Sequence, residues 1–132
     1  MDRRAGGHEE SFAITCYDPD APTGSGFWHW LVVNTPANVS ELELDAGSAG
    51  GKLPAGALQT RTDFGAPGYD GPCPPEGDHP HRYLFTVFAV MAERLEVKAD
   101  TSAAVVGFNL ISTPLAKAEI MGLFKRRVIP TC

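Results

Sequence analysis

Residues 26–34, GFWHWLVVN, decide the fold of this chain. The run is aromatic and β-branched and lacks the three- and four-residue spacing of an amphipathic helix, so it predicts a deeply buried β-strand. A histidine, His29, stands between Trp28 and Trp30. Because successive side chains of a strand point to opposite faces, we expect His29 to face away from both tryptophans.

Other stretches predict further strands and a short helical region. Residues 11–18, SFAITCYD, alternate as in a strand with one buried face, and residues 82–91, RYLFTVFAVM, are typical of a central strand. Asp100, Thr101 and Ser102 are candidate N-caps for one or two short helices that reach about Ala118. Residues 119–125 alternate again and predict a closing strand.

The segment from Thr35 to Arg82 has little periodic pattern and is rich in Gly, Pro and Asp. So long a loop is uncommon in a compact domain unless it is functional or disordered. We expect an ordered, functional segment, because it carries four apolar residues that can pack on the sheet: Leu53, Leu58, Phe64 and Tyr69.

Composition excludes several classes of protein. The 132 residues suit a single domain, 1–132, and 43% hydrophobic with 20% charged residues is typical of a folded protein. The net charge of −5 argues against a nucleic-acid-binding domain. We interpret the short basic run at residues 125–127 as a solvated strand end rather than a binding patch. No apolar run is long enough to span a bilayer, and the first twelve residues do not resemble a signal peptide, so we expect a cytoplasmic protein without integral membrane association.

The three cysteines, Cys16, Cys73 and Cys132, form no C-x-x-C pair. An odd number without metal-like spacing predicts reduced thiols rather than a disulfide framework or a zinc site. No cofactor motif is present either.

The segment DPDAP, residues 18–22, has two competing interpretations. Pro19 and Pro22 fix their own backbone angles and restrict the residues before them, so the loop can hold the Asp18 carboxylate in place at little entropic cost. The simpler interpretation is an ordinary Asx-type turn.

Two histidines and a tyrosine supply the remaining polar groups. His29 on so apolar a strand is either a hydrogen-bonded core residue or part of a cavity. His81 and Tyr83 lie two residues apart, hence on one face, with Arg82 on the other face in a structural role. Asp18, His29, His81 and Tyr83 together predict a small pocket suited to an oxyanion such as phosphate, of modest affinity because it lacks an Arg or Lys clamp.

These motifs carry a clear resemblance. YDPDAP, GFWHWLVVN and GYDGPCPPEGDHPHRYLFTVFAV resemble the phosphatidylethanolamine-binding protein family, in particular its bacterial Raf-kinase-inhibitor-like branch, from about Ser11 to Arg127. The resemblance implies a mostly β, antiparallel sheet fold with short C-terminal helices and a pocket for anionic groups such as phosphoryl head groups. Position by position, it implies ligand-binding roles for Asp18, Asp20, Pro22, His29, Pro74, Pro75, His81 and Tyr83.

The chain departs from the family pattern at its beginning and in one turn. Family members open with further strands and a PPLSW-like segment, where this sequence has only MDRRAGGHEE. Either the start codon is set too late or the opening strands are missing. In the second case we expect an unpaired sheet edge beside residues 12–16 and pairing between chains, as in a homodimer. The other departure is Cys73, whose thiol lies near the predicted pocket mouth.

Two classes of function remain open. The first is a non-enzymatic module that binds small anions or docks on partner proteins. A further hypothesis, inhibition of kinases or proteases, follows from family membership alone. The alternative is a hydrolase in which Asp18 orients His29 or His81 as a general base. The sequence contains no nucleophile elbow such as G-x-S-x-G, and this favours the binding module.

Overall fold

A computed structural model describes residues 11–38, 53–69, 79–92, 94–112 and 114–124. Within these ranges the chain forms one antiparallel sheet of five strands in the order β3-β2-β1-β4-β5, with one helix packed on it. The elements are β1 (Ser11–Asp18), β2 (Phe27–Pro36), β3 (Leu58–Gln59), β4 (His81–Val90), α1 (Ala103–Ser112) and β5 (Pro114–Phe124).

The three strands predicted with aromatic and β-branched runs are confirmed as β1, β2 and β4. β1 lies in the middle, paired with β2 on one side and with β4 on the other. The expected unpaired edge beside residues 12–16 is therefore wrong, since both edges of β1 are hydrogen-bonded. The edge strands of the described sheet are β3 and β5.

The predicted start of the helical region is confirmed, whereas its end is wrong. The Ser102 hydroxyl accepts a hydrogen bond from the Val105 amide at 3.3 Å, as expected of an N-cap before Ala103. The helix ends at Ser112, and β5 begins at Pro114, five residues before the strand expected at Glu119. Pairing with β4 over the whole length of β5 outweighs the weak helical pattern of residues 113–118.

Each face of the sheet carries its own apolar cluster. The face on which α1 packs, here called the helix face, carries one cluster of buried residues from the strands and the helix. It comprises Ala13, Leu31, Val33, Phe88 and Val90 of the strands and Ala103, Val106 and Leu110 of α1. On the opposite face, here called the site face, Cys16, Trp30, Val32 and Tyr83 form a second buried cluster. Residues of the long segment, Leu53, Ala57 and Tyr69, pack against this second cluster.

A β-bulge in β2 separates the two tryptophans. Cys16 pairs with Trp30, but the next residue of β1, Tyr17, pairs with Trp28, and His29 is the extra residue between them. Trp28 therefore packs with the helix-face cluster and Trp30 with the site-face cluster. The expectation that His29 faces away from both tryptophans is wrong for Trp30, because a bulge interrupts the strand's alternation.

The described part of the long segment, residues 53–69, runs along the outer edge of β2. β3 pairs with Val32 and Val33, the Thr60 amide donates to the Leu31 carbonyl at 3.0 Å, and the Asp63 amide donates to the Trp28 carbonyl at 3.0 Å. Its apolar residues pack as expected: Leu58 on the helix-face cluster, Leu53 and Tyr69 on the site-face cluster, and Phe64 against Phe27. The short strand β3 within this part had no signal in the sequence. The rest of the predicted segment between residues 39 and 78, namely 39–52 and 70–78, lies outside the described residues.

None of the helices among the described residues is long and apolar enough to span a bilayer.

The turn before β2 depends on a glycine. Gly26 has φ +78°, and a Cβ there would lie 2.6 Å from Cζ of Tyr17. The Tyr17 ring packs at a tilt of 43° against Trp28, with the ring centroids 4.5 Å apart. We expect Gly26→Ala to lower the free energy of unfolding by about 2 kcal/mol, through left-handed backbone strain and displacement of the Tyr17 ring. Urea denaturation measures the loss.

Gly24 supplies the matched control for this substitution. It has φ +82°, but a Cβ added there would meet no atom within 4 Å, so Gly24→Ala adds backbone strain alone. We expect about 1 kcal/mol for this variant. Equal losses in the two variants would show that the Tyr17 contact contributes nothing.

Candidate functional site

The DPDAP turn fulfils both interpretations of its sequence at once. The Asp20 amide donates to Oδ1 of Asp18 at 2.8 Å, which is the Asx-type turn. The other oxygen, Oδ2, lies 2.7 Å from Nδ1 of His81, although 63 residues separate the two in the chain. The turn therefore holds the Asp18 carboxylate with one oxygen and presents the other to β4.

A second contact fastens the same turn to the start of β4. The Asp20 carboxylate accepts hydrogen bonds from the Arg82 amide at 2.8 Å, from Nε at 3.0 Å and from Nη2 at 2.9 Å. The Arg82 guanidinium and amide hold the pKa of the Asp20 carboxyl well below its usual range. Arg82 is exposed between two buried neighbours, so its expected structural role on the other face is supported by these contacts.

The Asp18–His81 pair is buried in the fold. Asp18 is 1% exposed and His81 is fully buried. Asp18 follows Cys16 by two residues on β1, and His81 precedes Tyr83 by two residues on β4, so both lie on the site face. A charged or strongly polar pair at this depth is stable only when its members are bonded to each other, as they are here.

His29 reaches the same region because of the bulge. Its ring centroid lies 5.2 Å from that of Tyr83, 4.9 Å from Phe27 and 5.5 Å from Phe64, so aromatic rings surround the imidazole. Burial lowers the pKa of His29, an effect that the nearby negative charge of Asp18 partly offsets. Nδ1 of His29 is buried and has no hydrogen-bond partner among the described residues.

The structure thus brings together four of the eight predicted site residues: Asp18, His29, His81 and Tyr83. Asp20 lies next to them with its carboxylate committed to Arg82, and Pro22 is exposed in the turn. Pro74 and Pro75, like the Cys73 thiol, lie outside the described residues.

Two aromatic residues beside His29 were not predicted. Phe27 precedes His29 by two residues, so strict alternation could have placed both on one face. Phe64, which is 51% exposed, comes from an aperiodic segment and has no signal that links it to His29 in the sequence. The Phe64 ring makes edge-to-face contacts with Phe27, with the ring centroids 4.7 Å apart, and with His29. Phe64 is therefore an apolar ring on the solvent side of His29.

Neither a metal centre nor a thiol nucleophile is indicated in the described ranges. No group of three or more His, Cys, Asp or Glu side chains there is arranged to hold a metal ion. Cys16 is fully buried, and desolvation raises its thiol pKa to about 12, so it stays protonated at neutral pH.

Comparisons with known proteins identify the fold and the family. The family model for phosphatidylethanolamine-binding proteins matches residues 2–125. The chain is 53% identical over 117 residues to the UPF0098 protein YbcL of Escherichia coli, covering 88% of this chain and 64% of YbcL. It is 55% identical over 115 residues to YbhB of the same organism, covering 87% of this chain and 72% of YbhB. The chain thus spans a little under two thirds of the length of one of these relatives.

Solved structures agree with this assignment. The crystal structure of Escherichia coli YbcL, described as a new member of the mammalian PEBP family, superposes with a TM-score of 0.86 at 51% identity, covering 91% of this chain and 74% of that one. CT736 of Chlamydia trachomatis, designated a homologue of the same family, superposes with a TM-score of 0.73 at 26% identity. The predicted mostly β, antiparallel fold is confirmed, and this chain belongs to the phosphatidylethanolamine-binding protein family.

Proposed function

We propose that this protein is a non-enzymatic binding protein whose ligand is a small anion, phosphate or a phosphoryl head group, held beside Asp18, His29, His81 and Tyr83. The observation that supports it is the buried Nδ1 of His29, which has no partner among the described residues although polar groups at this depth are nearly always bonded. A ligand oxygen is a suitable partner for an imidazole N–H.

The charges of the cluster favour such a ligand only in part. The Asp18 carboxylate would repel an anion, but each of its oxygens is already engaged within the protein, one by the Asp20 amide and the other by His81. Arg82 is neutralised by Asp20 and supplies no clamp. We therefore propose weak binding, with His29 and His81 as donors, Tyr83 as a wall of the site, and Asp20 as the residue that positions the turn.

Pro22, Pro74 and Pro75 are proposed as surrounding walls from the family resemblance alone. Modulation of kinases or other partner proteins is likewise proposed on that resemblance, and the contacts described above add nothing to it.

A second candidate, a hydrolase, is favoured by one specific contact. The 2.7 Å distance between Asp18 and His81 Nδ1 is that of a carboxylate that orients an imidazole base. Against it, the described residues offer no activated nucleophile near the pair, since Cys16 is buried and its pKa is raised to about 12. Turnover of p-nitrophenyl phosphate or acetate, abolished by His81→Ala, would favour the hydrolase over the binding protein.

Anion binding is expected to strengthen as the pH falls. Burial lowers the pKa of His29 below its ordinary value, so the imidazole is mostly neutral at pH 7 in the free protein, and a bound anion favours the imidazolium form. Binding then takes up a proton, and affinity falls by up to about tenfold for each pH unit above the pKa of the complex. Calorimetry with sulfate between about pH 5.5 and 8 measures this, because sulfate keeps its charge over that range and inorganic phosphate does not.

His29→Phe tests the assignment without disturbing the aromatic packing. It removes the ring nitrogens but keeps a planar ring among Phe27, Phe64 and Tyr83. We expect sulfate affinity to fall by at least about tenfold and its pH dependence to flatten, which corresponds to one lost charge-assisted hydrogen bond. Lys98→Gln, which removes an exposed positive charge elsewhere, serves as control and should bind as the wild type does. Equal affinity of His29→Phe and wild type at every pH would refute the role of His29.

A further inference from the structure

Phe64 lies in a tight loop that hydrogen bonds hold against β2. The Asp63 amide donates to the Trp28 carbonyl at 3.0 Å, and Oδ2 of Asp63 accepts from the Trp28 amide at 2.9 Å. Thr62 closes the loop, because its amide and hydroxyl donate to the Ala66 carbonyl at 3.1 and 3.0 Å. The same hydroxyl accepts from the Phe64 amide at 3.1 Å. The backbone of Phe64 is therefore held in place before a ligand binds.

The Phe64 side chain is an exposed aromatic surface beside His29. Its ring centroid lies 5.5 Å from that of His29 and 4.7 Å from that of Phe27, yet the residue is 51% exposed. His29 is the residue whose buried Nδ1 has no hydrogen-bond partner among the described residues. A ligand oxygen bonded to this imidazole therefore brings the group attached to that oxygen close to the exposed part of Phe64.

We propose that the ligand is an anion joined through one oxygen to an aromatic ring, as in a small aryl phosphate, and that Phe64 selects it by packing against that ring. The proposal rests on the anion site proposed at His29. A single oxygen separates phosphorus from the ring of an aryl phosphate, so a phosphoryl oxygen at His29 keeps that ring within reach of Phe64. Aromatic pairs gain more than the apolar area they bury, and a rigid ring has little conformational freedom to lose. A flexible alkylammonium group would also meet Phe64, but it is strongly hydrated.

Phosphate esters that share the anion and differ beyond it test the proposal. Phenyl phosphate, methyl phosphate and phosphoethanolamine are mostly doubly charged at the phosphate at about pH 7, because the second phosphate pKa is about 6. In calorimetry with the full chain, we expect phenyl phosphate to bind at least about fivefold more tightly than either of the other two esters.

Variants at two exposed phenylalanines show whether the ring of Phe64 is responsible. Phe64→Leu keeps an apolar side chain without the ring, and the preference for phenyl phosphate should fall below about twofold. Phe64→Tyr keeps the ring and should keep the preference. Phe108→Leu makes the same change at a 70% exposed position of α1 and should leave the preference unchanged.

Inorganic sulfate, which carries no ring, separates this proposal from the anion site on which it rests. Phe64→Leu should bind sulfate as the wild type does, because His29 is unchanged. If sulfate binds through His29 but phenyl and methyl phosphate bind equally, the aromatic ligand is overturned and the anion site stands. Tighter binding of phosphoethanolamine than of phenyl phosphate also overturns it, and so does a preference for phenyl phosphate that persists in Phe64→Leu. A protein that binds neither sulfate nor any of the esters refutes both proposals.

Discussion

Asp18→Ala is expected to lower the free energy of unfolding by about 3–5 kcal/mol. The substitution removes the acceptor of two hydrogen bonds at once, from the Asp20 amide at 2.8 Å and from His81 Nδ1 at 2.7 Å. His81 is fully buried, so its ring nitrogen loses the carboxylate at a position where few other partners can replace it. Urea denaturation followed by tryptophan fluorescence measures the loss.

Two companion variants make this result interpretable. Asp100→Ala removes an exposed carboxylate, and we expect it to change stability by less than about 0.5 kcal/mol. Asp18→Asn keeps the oxygen that accepts from the Asp20 amide and replaces only the oxygen facing His81, so it should cost less than Asp18→Ala. A loss below about 1 kcal/mol for Asp18→Ala would show that the buried pair does not hold the turn to β4.

Leu31→Ala is expected to cost about 2–5 kcal/mol by a different route. Leu31 is fully buried in the helix-face cluster, where Val106 and Leu110 of α1 pack against the sheet, and truncation leaves a cavity there. Met91, which is 56% exposed, supplies the control: Met91→Ala should stay within about 0.5 kcal/mol of the wild type.

The two large effects should separate when ligand binding is measured. Leu31 lies on the helix face, opposite His29 and Asp18, so the folded fraction of Leu31→Ala should bind sulfate as the wild type does. Asp18→Asn acts on the site face and should change sulfate affinity and its pH dependence. Loss of sulfate binding by Leu31→Ala under conditions where the variant is folded would contradict a site built on one face alone.

Local features of the chain were predictable because they depend on neighbouring residues. The aromatic and β-branched run at residues 27–34 favours a buried strand, and β2 occupies Phe27–Pro36. Alternation about Arg82 correctly placed His81 and Tyr83 on one buried face. The N-cap at Ser102 was likewise predictable, because a cap acts on amides within one turn of itself.

The partners within the site were less predictable than the residues that form it. The polar residue types and the family resemblance both grouped Asp18 with His29, His81 and Tyr83, but nothing in residues 18–22 indicates that the carboxylate contacts His81, 63 residues later in the chain, rather than His29. The same resemblance led to a wrong expectation for β1, which is an inner strand paired with β2 on one side and β4 on the other.

The sequence by itself determined the strands, the start of the helix and the polar groups that the site contains, because periodicity, capping and residue type are properties of short segments. Tertiary structure alone decided the orientation of His29, the partner of Asp20 and the exposure of β5. The bulge at His29 arises from the register between β1 and β2. The first part of β5 forms a strand where a helix was expected, because β4 pairs with β5 from Val90 to His81. Register and edge pairing are set by the sum of many cross-strand contacts, so no single stretch of the chain encodes them.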